Sequence, residues 1–208
     1  MKRPVITISR EFGSGGRIIG EAIAKKFDFA VYDKTIINMS AEKSGFSVDY
    51  VEENDQRLTR SVLFQIAVTG SLPPWLNDAP EAVGAGGKSV YSAQAAVIKE
   101  LAEKGGCVII GRCADHILRD YDNCISVFIC GDTEDKLSRC IKEYKMPPNG
   151  ATAEMMRRDK ERADYYTHYT NNIWGKAENY DICINSSTFG VDGSVEIISK
   201  AIESMMAE

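Results

Sequence analysis

The chain switches repeatedly between two hydrophobic periods. Val5-Ile6-Thr7-Ile8, Ala30-Val31-Tyr32, Cys107-Val108-Ile109-Ile110-Gly111, Cys124 to Cys130 and Tyr180 to Asn185 are short, mostly apolar and rich in β-branched residues. Such runs suit parallel strands buried on both faces. Between them, Ile18, Ile19, Ala22, Ile23 and Phe27 recur at helical spacing, as do Val90, Ala93, Val97, Ile98 and Leu101, and later Val195, Ile198, Ile202 and Met205. Further helices are predicted over 34–43, after a cap at Asp132 or Thr133 in a segment carrying Arg139 and Lys142, and from Thr152 onward. Gly105-Gly106 and the stretch Met146-Pro147-Pro148-Asn149-Gly150 act as stops, and Ser186-Ser187 as a turn into the last helix. This alternation predicts an α/β fold over residues 1–208: a five-stranded parallel sheet between two helical layers, with right-handed crossovers and ligand chemistry at the carboxyl edge.

One region breaks the rhythm. From Ser44 to Arg60 the chain is polar, with Asp49, Glu52, Glu53 and Asp55, and reads as exposed helix and turn. Gly70-Ser71-Leu72-Pro73-Pro74-Trp75 and Gly84-Ala85-Gly86-Gly87 are the least regular stretches. Residues 34–87 therefore form the candidate for an inserted helical subdomain on the substrate side. Trp75 reads as an apolar anchor for that loop, with stacking on a base as the alternative.

The change of period around Gly13-Ser14-Gly15-Gly16 carries the chemistry. Three glycines in four residues permit positive φ and remove side-chain bulk, so backbone N–H groups can converge on a phosphate at the start of the following helix. A Walker A motif reads G-x-x-x-x-G-K-[ST]. With Gly15 as its second glycine, Arg10 stands at the first glycine, Gly16 at the lysine and Arg17 at the serine or threonine. A replacement cation for the β/γ phosphates is then needed, and Arg17 is nearest in sequence. Ser14 is the candidate hydroxyl for Mg²⁺; Ile18 offers none.

Composition narrows the class. With 208 residues and 44% hydrophobic content, one domain with a sizeable core is expected. A net charge of -5 opposes sequence-independent nucleic-acid binding. The six cysteines form no C-x-x-C pair and read as buried thiols of a reducing compartment, not as a metal site. No apolar stretch has the length of a signal peptide or a membrane span, so a cytoplasmic location is expected.

Beyond these patterns lies a resemblance. Val5 to Phe27 resembles the phosphate-loop start of bacterial cytidylate kinases, and Val108-Ile109-Ile110-Gly111-Arg112 their strand ending in Gly-Arg. The helix with Arg157-Arg158-Asp159 is similar to their lid, and Asn179 to Ser187 to their last strand and turn. Ile8 to Arg17 with Ile110 to Asp115 resembles more specifically the cytidylate kinase-like family. The resemblance implies a P-loop kinase fold, ATP with Mg²⁺ in the glycine cradle, and a nucleoside monophosphate or related small acceptor beside the insertion. It also implies a lid over 146–176 whose arginines close over both. It places Arg112 and Asp33 on the acceptor and Arg158 near the transferred group. Lys34, Met39 and Ile110 depart from the cytidylate kinase pattern, as do Arg162 and Tyr165 in the lid.

Phosphoryl transfer needs alignment and positive charge more than covalent chemistry. The expected catalytic set is Arg17, Arg112, Arg158 and Arg162; Gly13, Ser14, Gly15, Gly16 and Arg17 bind phosphate; Asp33 or Asp115 stands in an outer Mg²⁺ shell. Two rival readings follow from the same residues. A nucleotide-binding regulator without catalysis fits the missing lysine and hydroxyl. A dinucleotide-binding oxidoreductase fits Gly13-Ser14-Gly15 with Asp33 as ribose ligand, although Ile18 takes its third glycine. His116 and His168 have no obvious nucleophile to activate.

Overall fold

The computed structural model describes residues 3–56 and 90–207. Five strands form one parallel sheet: β1 (Val5–Arg10), β2 (Ala30–Tyr32), β3 (Cys107–Ile110), β4 (Cys124–Cys130) and β5 (Ile182–Asn185). Their order is β2-β3-β1-β4-β5. The helices are α1 (Gly16–Phe27), α2 (Thr35–Ser44), α3 (Val48–Glu53), α4 (Val90–Lys104), α5 (Ala114–Ile117), α6 (Thr133–Lys142), α7 (Ala151–Thr170) and α8 (Ser186–Ala207).

Two apolar layers cover the two faces of the sheet. Ile6, Ile8, Val108, Ile110, Val127 and Ile129 meet Ile19 and Ile23 of α1 and Ile198 and Ile202 of α8. On the other face Val5, Cys107 and Ile109 pack with Val97, Ile98 and Leu101 of α4. A strand flanked on both sides buries both alternations, which is why β1 and β3 read as unbroken apolar runs.

The strand order decides between two of the readings. In a dinucleotide-binding sheet β2 lies beside β1, so an acid ending β2 reaches a ribose held by the β1 loop. Here β3 intervenes, pairing with β1 at Ile8–Ile110 and with β2 at Tyr32–Ile109. Asp33 is therefore two strand spacings, roughly 9.5 Å, from the β1 column. The oxidoreductase reading fails on this geometry.

Smaller differences have local causes. The last strand begins at Ile182 because Asp181 turns its carboxylate onto Ser126 N and Oγ at 2.8 and 2.7 Å. Ser186 and Ser187 open α8 and do not form a separate turn; Ser187 N donates to Asn185 Oδ1 at 2.9 Å, and Gly190 kinks the helix. Cys107, Cys113 and Cys140 are buried, but Cys183 is exposed on the edge strand, against the expectation for all six. Of the proposed 34–87 insertion, α2 and α3 are described; Trp75 and both glycine-rich stretches lie outside the described residues. No helix among the described residues is long and apolar enough to cross a membrane.

Ile6 lies on the central strand with 0% exposure. Ile6→Ala is expected to lower unfolding free energy by about 2–5 kcal/mol in urea titration, without changing the strand order that spectroscopy of the folded state reports.

Candidate active site

β1 ends at Arg10, and the chain then turns through Glu11 to Gly15 into α1. Gly13 and Gly15 have φ of 86° and 81°, so the loop needs two left-handed residues. Gly13 is further constrained because a Cβ there would lie 2.6 Å from Lys136 O and 2.9 Å from Cys140 Sγ. The loop is fastened from behind. Arg139 Nη1 donates to Gly13 O at 2.6 Å and Ser186 Oγ to Ser14 O at 2.7 Å. Glu11 accepts from Gly131 N at 3.1 Å and from Lys136 Nζ at 2.8 Å. With its carbonyls held outward, the loop leaves the amides of Gly13, Gly15, Gly16 and Arg17 without a protein acceptor among the described residues. The N-terminus of α1 has no side-chain cap, which is the arrangement an anion completes.

These amides face a cleft of about 880 Å³ bordered by Arg17, Asp33, Arg112, Arg158 and Arg162. Its electrostatics are divided. Guanidinium groups from the ends of β1 and β3, from α1 and from α7 share its lining with the carboxylates of Asp49, Glu52 and Glu53 of α3 and with Lys34 and Ile37 of α2.

Strands β2, β3 and β1 end side by side, bringing Asp33, Arg112 and Arg10 into one row at the carboxyl edge. Gly111, Arg112 and Cys113 all have positive φ, of 76°, 57° and 55°. A left-handed backbone costs a non-glycine residue roughly 1–2 kcal/mol. The cost is offset by the contacts it permits: Arg112 Nε and Nη2 donate to the two oxygens of Asp55, both at 2.8 Å. Nη1 donates to Ile110 O at 3.2 Å and Asp33 Oδ1 at 3.4 Å. Arg112 is only 2% exposed, and its forked guanidinium makes four hydrogen bonds to protein acceptors. The network extends through Gln94, whose Nε2 donates to Asp55 Oδ1 at 2.9 Å and whose Oε1 accepts from Tyr165 Oη at 3.1 Å. Helices α4 and α7 thereby share the polar centre with β2 and β3.

The helix over the cleft, α7, is seated on the loop. Phe12 N donates to Asp159 Oδ1 at 2.6 Å, and Arg162 Nη1 to Arg10 O at 3.1 Å. The guanidinium carbons of Arg158 and Arg162 lie 4.5 and 5.5 Å from the centroid of the Phe12 ring. Arg158 also donates to Glu154 at 2.7 Å, and Arg157 and Arg158 together hold the Glu154 carboxyl down to about 2. Burial lowers the pKa of Arg162.

Other candidates take different places. The Arg17 side chain is 59% exposed at the rim, 2.8 Å from Glu21 and 3.8 Å from Asp33. Ser14 is fully buried and its Oγ donates to Glu11 O at 2.8 Å, turned away from any Mg²⁺ position in the cleft. Asp115 does not border the cleft: it accepts from Ser9 Oγ at 3.2 Å and Tyr166 Oη at 2.7 Å in the interior, and burial raises its pKa. His116 pairs with Arg119, away from the cleft. Among the described residues no group of three or more His, Cys, Asp or Glu forms a metal cage. Of the two proposed acids only Asp33 borders the cleft.

A glycine loop closing β1, amides open to an anion and an arginine-bearing helix laid over them define a P-loop kinase-type protein. The family model described as the cytidylate kinase-like family matches residues 5–188, and the chain belongs to that family. A cytidylate kinase from Archaeoglobus fulgidus is 34% identical over 109 residues, covering 50% of this chain and 58% of that protein. The match thus spans little more than half of that relative's length. Among solved structures, an uncharacterized protein from Eubacterium ventriosum is 26% identical, with a TM-score of 0.70 over 97% of this chain and 99% of that one. A shikimate kinase from Acinetobacter baumannii in complex with shikimate is 14% identical, with a TM-score of 0.52 over 97% and 94%. The latter likeness concerns fold alone.

Two outcomes follow from this polar centre. Asp55→Ala leaves Arg112 buried without its bidentate partner and is expected to cost about 3–5 kcal/mol in chemical denaturation, with the paired Asp55→Leu/Arg112→Met variant regaining much of it. Because burial raises the folded-state pKa of Asp115, its stabilising protonated form is present below the usual carboxyl value of 3.8 and is lost as pH rises through the raised value. Asp115→Asn should remove that downward slope from a plot of stability against pH.

Proposed function

We propose that the protein transfers a phosphoryl group from ATP, carried with Mg²⁺, to a nucleoside monophosphate or a related small acceptor. The observation that carries this reading is the fastened glycine loop whose amides open into the cleft at an uncapped helix end. In this reading the amides of Gly13, Gly15, Gly16 and Arg17 hold the donor phosphates, and Ser14 shapes the loop through its buried hydroxyl. Arg158 and Arg162, brought in by α7, offset the charge on the equatorial oxygens and exclude water as the lid over 146–176. Arg112 acts at the acceptor end through Asp55 and Asp33, which it positions. Asp33 is the residue suited to an outer Mg²⁺ shell, where the ion would supply positive charge to the phosphates.

One observation favours a different acceptor on the same site. Asp49, Glu52 and Glu53 border the cleft, and carboxylates beside an acceptor oppose a phosphate dianion while suiting hydroxyl or amino groups. A second function, nucleotide binding without turnover, draws on the inward-turned Ser14 hydroxyl.

At a hundredfold its dissociation constant, ATP is expected to stabilise the protein by about 2.7 kcal/mol, a rise in melting temperature of roughly 5–10 °C for a chain of this size. ADP release is then measured with a panel of nucleoside monophosphates and of hydroxyl- or amino-bearing small molecules. No stabilisation removes the kinase reading; stabilisation without turnover on any acceptor leaves the regulator.

A further inference from the structure

We propose that the polyphosphate-binding cation missing from the lysine position of the loop is supplied by Arg10, from the position where the motif has its first glycine. The inference rests on the kinase reading and concerns which side chain meets the donor phosphates.

The path of the Arg10 side chain is recorded by the glycines around it. A Cβ on Gly16 would lie 2.6 Å from Arg10 Cβ and 3.0 Å from its Cγ. The stem of Arg10 therefore crosses the lysine position, and Gly16 is the residue that lets it pass. At the far end a Cβ on Gly111 would collide with Arg10 Nη1 and lie 2.6 Å from Gln56 Oε1. The guanidinium is thus lodged between the ends of β1 and β3, with Nη1 donating to Gln56 Oε1 at 3.2 Å, and it borders the cleft.

Among the described residues, its charge is the one in the cleft lining that no carboxylate answers. Every other arginine bordering the cleft has a carboxylate: Arg17 has Glu21, Arg112 has Asp55 and Asp33, Arg158 has Glu154 and Arg162 has Asp159. Arg10 has no carboxylate within salt-bridge distance among the described residues, only the neutral oxygen of Gln56. Burial, then the neighbouring Arg162 and Arg112, pull its pKa down to about 9, although Asp33 and Asp55 at longer range oppose this. A desolvated guanidinium facing two others is unfavourable in the empty protein, and an anion in the cleft relieves it. The open amides of Gly13, Gly15, Gly16 and Arg17 border the same cleft, and Gly16 lies directly against the stem of Arg10. A polyphosphate, bearing several charges, fits both.

A purely structural Arg10, pinning the segment after α3 through Gln56, makes the opposite prediction for stability. The test compares wild type, Arg10→Gln, Arg10→Lys and, as a charge-matched surface control, Arg119→Ala. Ligand-free melting curves are combined with calorimetric binding of ATP and of inorganic tripolyphosphate. Arg10→Gln is expected to melt no lower than wild type, and by relief of the buried charge about 2 °C higher. Its affinity for both ligands should fall about 10- to 100-fold, the worth of a charge-assisted contact. Arg10→Lys should recover at least half of that loss on a logarithmic scale, and Arg119→Ala should match wild type. Retention of wild-type affinity by Arg10→Gln, or equal losses in both Arg10 variants with a lowered melting temperature, would overturn the inference. Wild type failing to bind either ligand would instead overturn the kinase reading beneath it.

Discussion

The bidentate pair between Arg112 and Asp55 is the interaction on which the organisation of the cleft depends. Both residues are drawn out of water, and charges in that position are tolerated only when their geometry is good and their remaining atoms are satisfied. Here Ile110 O and Asp33 take the remaining guanidinium contact, and Gln94 satisfies Asp55. Five parts of the chain far apart in sequence meet at this one pair: the end of β2, the end of β3, the segment after α3, helix α4 and, through Tyr165, helix α7. Three successive left-handed residues at Gly111 to Cys113 are the local distortion that aims Arg112 into it. An apolar replacement could hold the same elements together, but not with the directional register that a forked guanidinium imposes.

The glycine loop is organised on the opposite principle. The carbonyls of Gly13 and Ser14 are answered by protein, through Arg139 and Ser186, and among the described residues the amides of Gly13, Gly15, Gly16 and Arg17 are not. Arg112 and the loop therefore differ: one is closed electrostatically by protein, the other is left incomplete. The carboxylates of α3 border the same cleft, which thus carries both signs of charge.

Much of this fold was legible in the sequence because burial on both faces leaves an unmistakable mark on a short parallel strand, as in Val5 to Ile8 and Cys107 to Ile110. The glycine loop was legible for the same reason: positive φ at Gly13 and Gly15 restricts residue choice. Strand order was not, since which strand lies beside β1 is a long-range fact that leaves no local pattern; it took the β1–β3 pairing to separate a phosphate loop from a dinucleotide turn. Asp55 was hidden among Asp49, Glu52 and Glu53, where an exposed helix face explains every acid equally well. Asp115 had the opposite fault: closeness in sequence to Arg112 suggested the cleft, but α5 turns it inward to Ser9 and Tyr166. Arg10 had a signal in plain view, a charged residue at the end of a buried strand where a glycine belongs, and Gly16 in place of lysine was its counterpart. Arg17 seemed the natural substitute only because sequence distance cannot show that its side chain leans to the rim.

The bond from Phe12 N to Asp159 has one more implication. It joins the covering helix to the turn, Glu11 to Gly15, whose neighbouring amides open into the cleft. Were α7 to lift as the proposed lid, that movement and the filling of the turn would share a backbone segment, and by thermodynamic linkage any preference of one for a state of the other would be returned in equal measure. A molecule released from the turn and a hinge swinging away from it would then be one event seen from two ends.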